Sequence, residues 1–181
     1  MKQNLYYKTG EYRIGNVDFA DRWNDLDELI DYNDSHDVLD VGCAEGLISI
    51  KLSHRFNHVD AFDIEPFRIQ KARENMGKIA NIDFRVGNFM TYDYKHYDQI
   101  FCLGVYHKIK YHTRERALAT MFERCRNTLY LRVPVIDDIV TRDVGVTAKE
   151  VLRVSNNNGF DLVTRTEQRP LHGTIFKFKR R

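Results

Sequence analysis

"VLDVGCAEGLISIKL", residues 38–52, starts apolar, breaks at two glycines four positions apart, and then turns apolar again at helical spacing. Glycine inside a regular element costs roughly 0.5–1 kcal/mol relative to alanine, so this pair marks a place where the backbone must bend and be reachable. A strand over 37–41, a tight turn at Gly42–Gly46 and a helix from about Leu47 accommodate both halves of the stretch.

The same strand–helix rhythm continues outward from this turn. Short β-branched or aromatic runs recur at 58–62 (HVDAF), 82–86 (IDFRV), 98–103 (DQIFCL) and 128–133 (TLYLRV). Helical patterns lie between them. Residues 66–76 have Pro66 in the first turn and stop at Gly77. Residues 113–125 place Ala117, Leu118, Met121, Phe122 and Cys125 on one stripe. Residues 147–158 open with Thr147 and Glu150 at capping-box spacing. Regular alternation predicts right-handed βαβ units and a parallel sheet covered on both faces. The fold class expected is therefore α/β, a doubly wound, Rossmann-like, mostly parallel sheet. At the C-terminal end, 160–166 and 173–180 are joined by a loop with Pro170 that is too short for a crossover helix, which predicts an antiparallel edge hairpin. Near the start, Asp18 is placed to cap a helix carrying Phe19, Trp23, Leu26, Leu29 and Ile30.

The chain has 181 residues and a formal net charge of +2, which fits one domain and demands no polyanionic partner. Residues 1–181 are read as a single unit: an N-terminal segment and helix over 1–35, with Tyr6, Tyr7, Tyr12 and Trp23 forming either a lid or core filler, and a ligand-binding core over 36–181. Cys43, Cys102 and Cys125 form no paired framework and sit in apolar runs, which points to buried free thiols in a reducing compartment. No signal-peptide core or membrane-length apolar segment is present, so a cytoplasmic location with no membrane partner is expected.

In open α/β sheets, ligands bind beyond the carboxyl ends of the strands. An acidic residue about 20 positions past such a glycine turn is suited to a pair of ribose hydroxyls, and Asp63 stands 21 after Gly42. A dinucleotide fingerprint would require glycines at positions 44 and 47, where this chain has Ala44 and Leu47. Asp40, at the strand end, would repel a pyrophosphate and favour an ammonium group.

The set D-V-G-C-A-E-G (40–46), F-D-I-E (62–65), R-V-G-N (85–88) and Y-D-Q-I-F-C-L-G-V (97–105) resembles the class I S-adenosylmethionine-dependent methyltransferases. The resemblance implies a seven-stranded sheet, methyl transfer, and S-adenosylmethionine as cofactor. By it, Asp40, Gly42, Cys43 and Gly46 hold the methionine part, with Asp40 chiefly shaping the turn. Asp63 and Ile64 meet the ribose region, Asn88 and Phe89 lie beside the adenine, and Leu103 and Gly104 lie near the reactive methyl. Ala44 and Asn88 replace the family's commoner Gly and Asp. Two short stretches, W-N-D-L and L-G-V-Y-H, are also similar to enzymes that modify the tRNA wobble uridine.

His107, just past the fourth strand of the core, is the candidate base, since imidazole titrates near neutral pH; the alternative is a packing histidine. Tyr106 is expected either to line the same mouth or to cover the pocket. The family's amino-methylating N/D-P-P-Y/F signature is absent, which argues against an exocyclic base nitrogen as acceptor. No metal site is expected, and Asp137-Asp138 reads as a solvated turn. The terminal KFKRR reads as basic protection of an edge strand. A small-molecule acceptor is favoured over an RNA nucleotide. The competing reading is a non-catalytic S-adenosylmethionine- or nucleotide-binding module or partner subunit.

Overall fold

The computed structural model describes residues 13–14, 17–88, 90–135, 145–167 and 173–181, with backbone only at 13–14 and 17–18. A two-stranded antiparallel ribbon, β1 (Arg13–Ile14) and β2 (Val17–Asp18), leads into α1 (Phe19–Asp27). Five parallel strands follow: β3 (Asp37–Val41), β4 (His58–Asp63), β5 (Ile82–Val86), β6 (Tyr97–Leu103) and β7 (Cys125–Val133). Between them run α2 (Leu47–Ser53), α3 (Pro66–Met76) and α4 (Tyr111–Arg124). The chain closes with α5 (Ala148–Asn157), β8 (Phe160–Arg165) and β9 (Thr174–Arg180).

The seven-stranded sheet has the order β5-β4-β3-β6-β7-β9-β8. The chain builds outward from β3 to β5, then returns to lay β6 and β7 on the other side of β3. The order therefore reverses between β3 and β6, which opens a crevice at the carboxyl ends of those two strands.

Two apolar layers cover the sheet. One packs Leu118, Met121 and Phe122 of α4 and Val151 and Val154 of α5 on Leu39, Ile100, Leu131 and Phe178. The other packs Leu26, Ile48, Leu52, Ile69 and Ala72 on Val38, Val59, Phe101 and Tyr130. The Phe101 and Tyr130 rings stack across β6 and β7, with centroids 4.7 Å apart.

The helix signals act as the sequence predicts. Pro66 opens α3, and Gly77 closes it with φ 60°. Thr147 Oγ1 accepts from Glu150 N at 3.1 Å and starts α5. The reciprocal half of the capping box is missing, because the Glu150 carboxylate turns to Tyr106 and Arg114 instead.

Two expectations are corrected. β9 pairs antiparallel with both β7 and β8, so the terminal basic run lies on an interior strand and the edge belongs to β8. Its charges are held by the fold: Lys177 and Lys179 reach Asp31 at 2.7 and 3.0 Å, and Arg180 donates to the carbonyls of Phe122 and Cys125 at the end of α4. The first helix stops at Asp27, so Leu29 and Ile30 follow it as non-helical core residues. Trp23 packs on the second apolar layer and takes the core-filler role. Tyr6, Tyr7, Tyr12, Phe89, Asp137, Asp138 and Pro170 lie outside the described residues. No helix among the described residues is long and apolar enough to cross a membrane.

Candidate active site

The turn after β3 bends through three left-handed residues: Gly42 (φ 71°), Ala44 (φ 50°) and Gly46 (φ 78°). A Cβ on Gly42 would stand 2.1 Å from Val105 Cγ2, and one on Gly46 would stand 2.5 Å from Phe84 Cζ and 2.9 Å from Ala72 Cβ. The two glycines are thus required by the protein's own packing. Gly42 admits the loop after β6, and Gly46 lets α2 approach β5 and α3.

The sequence reads the glycine turn as backbone reachable by a ligand, yet several of its N–H groups are taken up within the protein. Gly42 N and Cys43 N both donate to Phe62 O, at 2.8 and 2.9 Å, and Gly46 N donates to Cys43 O at 2.9 Å. Ala44 N donates to Asp63 Oδ2 at 3.0 Å. The turn is therefore clamped to the end of β4, with the N–H groups of Gly42, Cys43, Ala44 and Gly46 engaged internally.

Asp40 is 2% exposed, and Ser49 Oγ on α2 donates to its Oδ2 at 2.7 Å. Burial pushes its carboxyl up to about 6; the neighbouring Asp63 adds to the rise, while Ser49 and Arg132 oppose it. Asp63 is 8% exposed and accepts from Ala44 N through one oxygen and from Glu65 N through the other, both at 3.0 Å. A carboxylate offers about four lone-pair sites, so two remain for a further donor pair. Asp63 therefore staples two loops together and still keeps capacity for a ligand.

Beyond Asp63, the end of β4, the first turn of α3, and the end of β5 with the loop after it expose apolar side chains: Ile64 is 59% exposed and Phe67 58%, and Val86 and Met90 also stand in solvent. Asn88 Oδ1 accepts from Met90 N at 2.9 Å, which folds the loop after β5 back on itself. Cys43 is buried, and its thiol is pushed well above its ordinary range by burial and by Asp40 and Asp63.

On the other side of the crevice, β6 ends at Leu103 and Gly104 takes φ 96°. Gly104 N donates to Arg132 O at 3.0 Å, which ties this end to β7. A 3₁₀ turn, Tyr106–Lys108, follows. Tyr106 is fully buried, its hydroxyl donates to Glu150 Oε1 at 2.6 Å, and the same carboxylate accepts from Arg114 Nε at 2.8 Å. The ring and hydroxyl anchor the turn to α5 and do not face the crevice mouth. His107 is half-buried, and its Nδ1 is buried with no hydrogen-bond partner among the described residues. Burial, Lys108 and Arg132 lower its pKa, so the ring is neutral near pH 7.

Sequence reasoning missed Arg132, the one charged residue within the otherwise apolar stretch 129–133 of β7, and that isolated charge was the available signal. It also missed Ser49, whose hydroxyl holds Asp40, and the buried Arg114–Glu150 pair. Among the described residues, His58, Asp60 and Asp83 lie close enough to suggest a metal site. Asp60 is already neutralised by Lys95 at 2.8 Å and accepts from Tyr97 at 2.9 Å, and Arg85 sits 3.1 Å from Asp83.

The sheet order, the switch point between β3 and β6, and acids at the ends of β3 and β4 together define a Rossmann-like S-adenosylmethionine-dependent methyltransferase fold of class I. A family model described as a methyltransferase domain matches residues 38–128, half of the chain, and the chain belongs to that family. A malonyl-[acyl-carrier protein] O-methyltransferase from Ilyobacter polytropus is 36% identical over 69 residues, 36% of this chain and 26% of the relative. The match thus spans about a quarter of that enzyme's length.

Two solved structures share the fold. One is magnesium protoporphyrin IX methyltransferase from Synechocystis PCC 6803 with bound S-adenosylhomocysteine. It is 18% identical with a TM-score of 0.76, covering 94% of this chain and 91% of that one. The other is the N-methyltransferase NodS from Bradyrhizobium japonicum, 16% identical with a TM-score of 0.75, covering 89% and 95%.

Proposed function

We propose that the crevice between β3 and β6 takes S-adenosylmethionine and that the acceptor is a small molecule entering beside Gly104 and His107. The observation that carries this reading is the meeting of the Asp40–Gly46 turn, Asp63 and Gly104 at the single switch point of the sheet. The fit is chemical as well as topological. Buried Asp40 favours a cationic group beside it, the spare lone pairs of Asp63 suit ribose hydroxyls, and the exposed apolar rim of Ile64, Phe67 and Val86 suits a flat base. Asn88 keeps one acceptor lone pair and an amide donor for the base edge. Cys43, Leu103 and Gly104 supply wall and backbone. S-adenosylmethionine, when bound, brings a methyl group already activated on a sulfonium.

The protein's share of catalysis is then alignment, which is worth ~7–11 kcal/mol when a reacting pair is held in line. His107 is the candidate to take the acceptor's proton, through an imidazole kept neutral by burial and nearby cations. Tyr106 acts at one remove by holding the His107 turn against α5. Three buried free cysteines support a reducing, cytoplasmic setting. The protoporphyrin and amino pentose named for structurally similar methyltransferases support a small-molecule acceptor over RNA.

The test is His107→Ala, assayed by single-turnover methylation, S-adenosylhomocysteine affinity and melting temperature on one preparation. An acceptor panel of small acids, amines and phenols beside tRNA identifies the substrate first. Loss of a general base lowers turnover by ~10²–10⁴-fold with cofactor affinity unchanged. Unchanged turnover in the folded variant removes His107 from the chemistry, and methylation of tRNA alone overturns the small-molecule reading.

A further inference from the structure

The structure treats its buried guanidinium groups unequally. Arg114 donates to Glu150 through Nε at 2.8 Å, to Gly145 O at 2.6 Å, and to the second Glu150 oxygen. Arg132, 4% exposed, has a single side-chain bond among the described residues, from Nη2 to Leu103 O at 3.3 Å. No carboxylate lies within ion-pair distance of it among those residues. A desolvated charge without a partner is a large penalty, so a fold that keeps one points to a ligand that completes it.

Its position says where that ligand sits. Arg132, one residue before the end of β7, pairs with Leu103 at the end of β6, and its Nη2 lies 4.0 Å from where a Cβ on Gly104 would be, the one atom within 4 Å of that point among the described residues beyond 103–105. The guanidinium therefore borders the open side of Gly104, within electrostatic reach of both Asp40 and His107. Burial draws the pKa of Arg132 down to about 10, with Arg22 adding to the fall and Asp40 and Asp25 opposing it.

We propose that Arg132 is a binding residue for a carboxylate in the cofactor crevice. A guanidinium fork matches a planar carboxylate through two parallel N–H bonds. A phosphate is disfavoured, because a second negative charge would face Asp40. The proposal rests on the S-adenosylmethionine reading of the crevice. The carboxylate has two chemical sources, the acceptor or the amino-acid end of the cofactor, and the experiment separates them.

Wild type, Arg132→Met and Arg132→Lys are titrated calorimetrically with S-adenosylhomocysteine and with its decarboxylated analogue. In a second arm, the same proteins, with and without S-adenosylhomocysteine, are titrated with acetate and benzoate and followed by ligand-observed NMR. If the cofactor supplies the carboxylate, Arg132→Met weakens S-adenosylhomocysteine by roughly tenfold or more and leaves the decarboxylated analogue unchanged. If the acceptor supplies it, both nucleosides bind as in wild type, whereas wild type binds acetate or benzoate and Arg132→Met does not. Arg132→Lys, which keeps the charge and loses the fork, falls between them in either arm.

Equal weakening of both nucleosides overturns the proposal in favour of a structural role, and so does the absence of any change in either arm. Arg132→Met melts no lower than wild type, because it removes an unpaired buried charge; if it fails to fold, the Lys variant carries the comparison. Wild type that binds neither nucleoside refutes the cofactor reading, and the acetate and benzoate arm still decides Arg132.

Discussion

Replacing Asp63 by alanine should damage two things at once, and the structure allows each to be sized. Its carboxylate holds Ala44 N and Glu65 N, both at 3.0 Å, so the variant leaves two loop N–H groups without their acceptor. Hydrogen bonds to a charged acceptor contribute ~1.5–3 kcal/mol each, and water entering the vacated space recovers part of this, so a loss of ~2–4 kcal/mol is expected. For a chain of this size 1 kcal/mol moves the melting temperature by ~2–4 °C, which gives a fall of about 5–15 °C. Cofactor affinity falls as well, because the spare lone pairs that face the ribose vanish with the carboxylate. A tenfold weakening corresponds to ~1.4 kcal/mol and is the smallest change expected. Differential scanning fluorimetry with and without saturating S-adenosylhomocysteine, combined with calorimetric titration, resolves the two effects. A variant that melts like wild type refutes the staple, and one that binds the nucleoside like wild type refutes the ribose assignment.

Further outcomes follow from the same turn. Asp40 titrates near 6 when folded against 3.8 in the unfolded chain, so the native state binds the extra proton and this group lowers stability, by about 3 kcal/mol in total, as pH rises from 4 to 6. Urea unfolding of Asp40→Asn across that range should lack this slope; an identical slope in both proteins contradicts the buried acid. Ala44→Gly should stabilise by ~0.5–1 kcal/mol, because left-handed strain of ~1–2 kcal/mol is relieved and part of the gain is lost to unfolded-state entropy. A drop in denaturation midpoint would show that Ala44 is not strained. Gly46→Ala should destabilise by ~3 kcal/mol or more, since its methyl meets Phe84 and Ala72 at a φ of 78°. A soluble variant with wild-type melting would show that α2 can move away.

The strands and helices of the core were legible because local and global preferences agree there. Pro66 and Gly77 bound α3, Thr147 starts α5, and unbroken apolar runs can only be the buried strands of a parallel sheet. Placement across the sheet was not legible. Nothing in 173–180 says that β9 slips between β7 and β8, and with that the apparent edge lysines become internal partners of Asp31. The site divides in the same way. Asp40, Gly42, Gly46 and Asp63 announced themselves by spacing along the chain. The roles of Gly46 in packing and of Tyr106 in anchoring to Glu150, by contrast, depend on neighbours 26 or more positions away. Arg132 was hidden for a related reason, since a lone charge in a strand becomes informative only once its missing partner can be seen.

The insertion of β9 between β7 and β8 has a consequence for how the chain comes off the ribosome. β8 is synthesised first but has no hydrogen-bonding neighbour until β9 arrives, because it touches the sheet through β9 alone. Lys177 must also find Asp31, 146 residues earlier, on the far side of the sheet's assembly order. The nascent polypeptide therefore emerges with β7 bare along one side and β8 waiting, and closes both in one late step. That interval leaves the free edge of β7, and the whole of β8, open to pairing with other chains until β9 joins them.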